Sequence, residues 1–292
     1  MGCNTKIDYD TYDFFDNAIK YIESSDNLNS NTTILDAQDN CTTFSKVYTS
    51  SNIAIGKKLC ELFIKLYRSF TNVTQESHED YKKEWHFLNY WLNINISEKK
   101  LNEDTCATNF CEGLGNHCIY TFFMTSFPPP IIYNIREEDL NKMNLLYGLY
   151  ENYRTVNNIL SKTQDDKLDL LLKTSTKCCS DYTEAKYLCN GGNNKFCIQL
   201  EKFKTKYEEL YSTVNGKDPE YSKNFIKLSE CKNNNIMTTT LVGTTVGLVP
   251  LLVGLYKYGS NDGEMRNIML MDQESGHISS QKGIYNIKYH SV

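Results

Sequence analysis

The helical character of this chain is clearest in residues 194–214, which read NKFCIQLEKFKTKYEELYSTV. Apolar side chains recur there at steps of three and four residues, the spacing that places them on one face of an α-helix. The apolar positions are Phe196, Leu200, Phe203, Tyr207, Leu210 and Val214. We expect an amphipathic helix that packs this face onto a core.

Three other segments show helical spacing, at residues 52–70, 76–94 and 137–162. The last of these opens with acidic side chains, which suit a helix N-terminus, and we expect it to be the longest helix. The segment 76–94 holds both tryptophans. Its expected buried positions are Trp85, Leu88, Trp91 and Leu92.

The composition fits packed helices and argues against nucleic-acid binding. The chain has 292 residues, 40% of them hydrophobic, with 21 tyrosines and only 15 glycines and 5 prolines. Its formal net charge is −5, and residues 257–292 carry four positive and four negative side chains. The excess negative charge therefore precedes residue 257 and would repel a phosphate backbone. We expect no nucleic-acid partner.

All 11 cysteines lie between residues 3 and 231, and none lies in residues 232–292. Disulfides persist in oxidising surroundings, so this segregation indicates an extracytoplasmic N-terminal domain stapled by bridges. The disulfide candidates are Cys41, Cys106, Cys111, Cys118, Cys178, Cys179, Cys189, Cys197 and Cys231. We expect local bridges around residues 106–118 and 178–197. Cys60 lies in an apolar helical stretch, which predicts a buried free thiol.

Residues 236–256, IMTTTLVGTTVGLVPLLVGLY, contain no charged side chain. A helix of this length, at about 1.5 Å per residue, is long enough to cross about 30 Å of hydrocarbon. Lys232 and Lys257 flank it as interfacial anchors. We expect a transmembrane helix here, with a buried helix as the rival interpretation. Gly243 and Gly247 form a GxxxG pattern, which leaves homodimerisation through the span as an open alternative.

The expected fold class is all-α, with a disulfide-stapled helical ectodomain (1–235), one C-terminal transmembrane helix (236–256) and a short tail (257–292). The prolines at 128–130 mark a turn within the first domain. The start, MGCNTKIDYD, lacks an apolar signal-peptide region, so no cleavable signal is expected. The lysines before the span favour a cytosolic domain, but the cysteine segregation favours an outside domain, which we adopt.

No residue is expected to act in catalysis or to bind a metal or cofactor. The chain contains no GxSxG, HExxH, Walker A or GxGxxG pattern. Its cysteine spacings fit no standard zinc finger, and the nearby His117 completes no ligand set. An enzyme would need a cysteine nucleophile and a histidine base that meet in space. That hypothesis predicts a thiol with a lowered pKa in a cleft.

Several short motifs in a fixed order resemble a known family. These are FLNYWLN (87–93), LYGLYENY (146–153), the run from Cys178 and Cys179 through Tyr187 to Cys189, FCIQLEKFKTKYEEL (196–210), the late apolar span and the closing YNIKYHSV (285–292). Together they resemble the Plasmodium interspersed repeat (PIR) proteins, and within them the variant interspersed repeat (VIR-like) antigens of malaria parasites.

The resemblance covers nearly the whole chain and implies a helical, disulfide-bearing variable ectodomain, one membrane span and a short tail. It also implies export to infected red cells or the parasite surface, with roles in immune evasion or adhesion and no catalytic residues. The chain departs from the family's common Pro-Leu-Gly run after the span, reading LYKYGSNDG at residues 255–263. Any role of that run is therefore not carried over.

Two functional hypotheses follow, with an enzyme as the third. The leading one is a variant surface antigen, single-pass in the membrane, whose exposed ectodomain contacts host proteins or antibodies. Its partners would be the lipid bilayer and those host molecules. The alternative is an internal membrane-anchored scaffold with its large domain in the reducing cytosol. The redox state of the cysteines separates the two.

Overall fold

A computed structural model describes residues 5–6, 9–29, 35–99, 101, 105–118, 122, 129, 131–162, 167–189 and 194–231. These residues are mostly helical. The α-helices among them are Ala18–Asp26 (α1), Leu35–Tyr48 (α2), Ile53–Ser69 (α3), Tyr81–Lys99 (α4), Ala107–His117 (α5), Glu137–Ser161 (α6), Leu168–Leu188 (α7), Lys195–Glu208 (α8), Leu210–Asn215 (α9) and Pro219–Lys223 (α10).

Short 3₁₀ segments accompany these helices, at Tyr9–Asn17, Asn27–Asn29, Ser50–Asn52 and Leu228–Glu230. Two short strands, Thr5–Lys6 (β1) and Asn134–Ile135 (β2), pair in parallel with Thr5 opposite Asn134. The pairing joins the N-terminus to the chain just before α6. A helical fold is confirmed, and this pair is its one β feature among the described residues.

The helices agree with the apolar spacing in most places. Residues 52–70 become α3, and residues 137–162 become α6, the longest described helix at 25 residues. The segment 76–94 begins its helix later than expected, at Tyr81, because the residues before it form turns. Residues 194–214 form α8 and α9 rather than one helix, although all six apolar positions of the stripe are buried.

Helix α4 lies in the core. It contacts α3, α5, α6, β2 and the 3₁₀ segment Tyr9–Asn17. Trp85, Leu88, Trp91 and Leu92 are all buried, as the sequence predicts. The ring of Phe87 packs 4.8 Å from that of Tyr21 and 5.6 Å from that of Phe14, which fixes the N-terminal elements against α4.

The described residues before and after the prolines at 128–130 pack against each other. The 3₁₀ segment Tyr9–Asn17 packs against both α4 and α8. Asp16 on this segment accepts hydrogen bonds from Gln199 at 3.1 Å and from Lys202 at 2.7 Å. Between the halves, the carbonyl of Pro129 accepts a hydrogen bond from the backbone N–H of Ile132, as in a turn.

The expected transmembrane helix at 236–256, its glycines Gly243 and Gly247, and the tail at 257–292 lie outside the described residues. Within the described part of the chain, no helix is both long enough and apolar enough to span a membrane.

Candidate functional site

The motif FLNYWLN lies in the middle of α4, and its two asparagines form hydrogen bonds to the backbone in and directly before β2. The Asn93 amide donates to the Tyr133 carbonyl at 2.9 Å, and its oxygen accepts from the Ile135 backbone N–H at 3.0 Å. The Asn89 oxygen accepts from the Tyr133 backbone N–H at 3.1 Å. Both asparagines are buried. They satisfy backbone groups that would otherwise lack partners in the core, so this motif has a structural role.

A buried carboxylate near the start of α4 ties three segments together. Glu84 is fully buried and pairs with Lys20 of α1 at 3.1 Å. Its oxygens also accept hydrogen bonds from the backbone and side-chain amides of Asn72, at 2.9 and 3.1 Å. The ion pair and the two hydrogen bonds of Glu84 therefore join α1, α4 and the segment around Asn72.

The motif LYGLYENY lies on α6 and combines buried tyrosines with a charged cluster facing α1 and α7. Arg154 forms an ion pair with Asp26, and Lys177 pairs with Asp181 at 2.8 Å. Burial, reinforced by the Asp26 carboxylate, raises the pKa of Glu151 to about 8. The cations Arg154 and Lys177 oppose this rise in the pKa of Glu151. The α6–α7 interface therefore contains a carboxyl group that titrates near neutral pH.

Disulfides link three pairs of described cysteines. Cys41 of α2 bonds to Cys60 of α3, Cys179 of α7 bonds to Cys231, and Cys189, directly after α7, bonds to Cys197 of α8. Cys106 is also disulfide-bonded. The expectation that Cys60 is a free thiol is wrong, because its buried side chain reaches Cys41 on the neighbouring helix.

The structure also corrects three of the disulfide candidates. Cys111, Cys118 and Cys178 are free and buried. The expectation of local bridges within residues 106–118 therefore fails, because Cys111 and Cys118 are not bonded to each other. Around residues 178–197, the bridge between Cys189 and Cys197 is local. Cys179 instead bonds to Cys231, which is 52 residues later in the sequence. Spacing alone carries no information on such pairings.

Three cysteine sulfurs converge where α2, α3 and the end of α5 meet. The Sγ atoms of Cys41, Cys60 and Cys118 all lie within 4.8 Å of one another, and all three residues are buried. Converging cysteine sulfurs are typical ligands of soft metal ions. In this oxidation state, however, Cys41 and Cys60 are joined and Cys118 is the single thiol. Sequence reasoning missed this group because Cys118 is far from the other two in sequence.

Burial disfavours the thiolate form of the three free thiols among the described cysteines. Burial raises the pKa of Cys118 to about 11. Burial likewise raises the pKa of Cys111 and of Cys178 well above their ordinary value. Catalytic cysteines have the opposite shift, toward a thiolate at neutral pH. The ring of His117 lies edge-on to Tyr48 at 5.8 Å, a packing contact.

Apolar side chains are exposed at the C-terminal end of α7 and near the N-terminal end of α8. Tyr187 is 77% exposed, and Leu188 and Ile198 are also exposed. These residues adjoin the bridge between Cys189 and Cys197, which holds them at one end of the helix pair. No motif marked this surface in the sequence, although Tyr187 lies in a segment of the family resemblance. An exposed aromatic beside aliphatic side chains is typical of a contact surface.

Comparisons with protein-family models, with curated proteins and with solved structures find no match to this chain.

Proposed function

We propose that this chain is a non-enzymatic surface antigen of a blood-stage malaria parasite, a VIR-like member of the PIR family, that displays its helical domain for host interaction and immune evasion. The observation that carries the proposal is the disulfide framework. Bridges join α2 to α3, α7 to residue 231, and α7 to the start of α8. Such bridges persist in oxidising surroundings, which supports an extracytoplasmic domain.

The buried chemistry of the domain supports a binding role over a catalytic one. The free thiols have raised pKa values, and the motif FLNYWLN is used in core packing and in hydrogen bonds to the backbone of residues 133 and 135. The exposed end near Tyr187 is the part of the described surface that we propose for contacts with host proteins or antibodies. Variation at such a surface would leave the core intact.

The proposed topology is that of a single-pass protein in the infected host-cell membrane or at the parasite surface. Residues 236–256 would form the membrane helix, with residues 1–235 outside and residues 257–292 inside. The lipid bilayer would be the first partner of the span. A homodimer through Gly243 and Gly247 is a separate proposal for the same segment.

The alternative is an internal membrane-anchored scaffold with the large domain in the cytosol. Three buried free thiols among the described cysteines favour it, since a cytosolic protein keeps its cysteines reduced. The lysines before the span also favour it under the positive-inside rule. It requires that these three bridges and that of Cys106 be open in the cell.

Protease shaving of intact infected cells separates the two proposals. Antibodies against the domain and against residues 257–292 are used on the same sample, so the tail epitope is the internal control. Surface display predicts loss of the domain epitopes on intact cells while the tail epitope survives. Survival of the domain until the cells are lysed overturns surface display and supports the scaffold.

A further inference from the structure

The three-cysteine group has a defined place in the fold. Cys41 lies on α2, Cys60 on α3, and Cys118 directly follows α5. Cys118 is held there by its backbone N–H, which donates to the Leu114 carbonyl at 2.7 Å. The bridge between Cys41 and Cys60 thus has a third sulfur beside it, and that sulfur is a thiol.

Close packing of α5 on α2 keeps Cys118 near the bridge. A Cβ atom at Gly113 would lie 2.8 Å from ring atoms of Phe44 and of Tyr48, so glycine is needed for this approach. Phe44 also packs edge-on to Phe110 with ring centres 4.7 Å apart. At the end of α5, Asn116 donates to the Tyr48 hydroxyl at 3.2 Å. These contacts hold the thiol in position.

We propose that Cys41, Cys60 and Cys118 form a thiol–disulfide exchange site, in which a single disulfide moves among three sulfurs. The Cys118 thiol loses its proton, and its sulfur attacks one sulfur of the existing bridge. A new S–S bond forms to Cys118, the old S–S bond breaks, and the departing sulfur takes up the proton. No electron is gained or lost overall, so no outside oxidant or reductant is needed.

The exchange connects α5 covalently to α2 or to α3 in place of the α2–α3 link. Burial disfavours the Cys118 thiolate, so exchange is slow at neutral pH. Among the described residues, no other group of three cysteine sulfurs converges as closely. Cys111, a free thiol on the same α5, does not belong to the group. The inference concerns the domain's own chemistry and holds for either membrane orientation.

Single substitutions in the full-length chain, made in an oxidising compartment and purified in mild detergent, test the proposal. Free thiols are alkylated at denaturation, the bridges are then reduced and labelled with a second reagent, and peptides are mapped by mass. Cys41→Ser is expected to yield a bridge between Cys60 and Cys118, and Cys60→Ser one between Cys41 and Cys118. Each variant then has one free thiol fewer than the wild type.

Cys189→Ser is the matched control. Its partner, Cys197, belongs to no three-sulfur group among the described residues, so this variant should have one free thiol more than the wild type. If Cys41→Ser and Cys60→Ser also gain a free thiol, with Cys118 still alkylated, the exchange site is overturned.

Because a variant can fail to fold, the wild-type chain provides a second measurement. It is equilibrated in a glutathione redox buffer, quenched with acid and mapped in the same way. Peptides that join Cys118 to Cys41 or Cys60 are expected beside the native pair, whereas Cys189 should pair with Cys197 alone. Absence of any Cys118 bridge in this sample overturns the proposal independently of variant folding.

Discussion

Helices α4 and α7 are similar in length but differ in burial, because most of α4 is buried and much of α7 is exposed. Every residue from Glu84 to Asn95 in α4 is buried, including polar side chains. Helix α7 buries only one face and exposes Leu170, Leu172 and Tyr187. Burial in this domain therefore does not follow hydrophobicity alone. In α4, the buried side chains of Glu84 and Asn95 are hydrogen-bonded within the domain.

The two helices are also held in different ways. Asn89 and Asn93 of α4 use their side-chain amides to bind the backbone of Tyr133, directly before β2, and of Ile135 in β2. Helix α7 is instead cross-linked, at Cys179 within the helix and at Cys189 directly after it. We expect α4 to depend on buried hydrogen bonds and packing, and α7 to depend on covalent bridges. Variants that weaken one kind of interaction should separate the two regions.

The largest effect is expected from removing the long-range bridge of α7 by Cys179→Ser with Cys231→Ser. The bridge closes a separation of 52 residues, for which chain entropy gives about 4 kcal/mol of stability. The matched control, Cys189→Ser with Cys197→Ser, opens a separation of 8 residues, for which the same relation gives about 2.5 kcal/mol. Urea denaturation of both double variants measures the free energies of unfolding.

Tryptophan emission adds a local readout to this experiment. Both tryptophans, Trp85 and Trp91, are buried in α4. In the absence of urea, loss of either bridge should leave their emission unchanged. Equal losses of stability in the two double variants, or a red shift of the emission in native buffer, would show that α7 is not held separately from α4.

The next largest effect is expected from Asn93→Ala in α4. The substitution removes the partners of the Tyr133 carbonyl and the Ile135 N–H in a buried setting, which costs about 3 kcal/mol. Asn116→Ala is the control, because Asn116 is exposed and makes one hydrogen bond, to Tyr48. Its cost should stay below about 0.5 kcal/mol. Similar costs for both variants would mean that the amide contacts to β2 contribute little.

Periodicity predicted the helices whose apolar stripe is regular, and it failed where the stripe is not. The six-residue stripe of 194–214 is buried, and α6 spans nearly the expected residues. Helix α7 was not predicted, since Leu170 and Leu172 are exposed and interrupt its buried face. The burial of Asn93 was not predicted either, because its partners outside α4, Tyr133 and Ile135, lie 40 and 42 residues away in sequence.

The cysteine group was the part of the candidate site least accessible to sequence reasoning. Apolar surroundings favour a buried thiol and a buried disulfide equally, so the position of Cys60 could not decide between them. The approach of Cys118 depends on α5 packing against α2 at Gly113, a tertiary contact. The exposure of Tyr187 also depends on tertiary packing, because the same residue type is buried at Tyr182.

A smaller effect is expected from pH at the α6–α7 interface. Folding raises the pKa of Glu151 from 4.5 to about 8, so the folded chain binds more protons than the unfolded chain between these values. The stability therefore falls as the pH rises through this window, by on the order of 2 kcal/mol after allowance for partial exposure. Glu151→Gln should remove this loss and be more stable than wild type at pH 8.

Urea denaturation at pH 5, 6.5 and 8 measures the effect of Glu151→Gln. The exposed Glu201 provides the control, and Glu201→Gln should keep the wild-type dependence on pH. If Glu151→Gln and wild type lose stability in parallel between pH 5 and 8, the carboxyl is ionised in the fold at neutral pH. The cations Arg154 and Lys177 would then stabilise its charge against the repulsion from Asp26.

The smallest effect is expected from Tyr187→Ser on α7, and it addresses the proposed contact surface. Tyr187 is 77% exposed, so its loss should change the free energy of unfolding by less than about 0.5 kcal/mol. The same substitution at Tyr182, on the same helix but only 5% exposed, should cost about 2 to 3 kcal/mol because it empties a packed site. Urea denaturation compares the two. A side chain that does not contribute to folding can vary or bind a partner without loss of stability. A large loss of unfolding free energy in Tyr187→Ser would mean that this end of α7 is part of the packed domain. It would then no longer be the proposed contact surface.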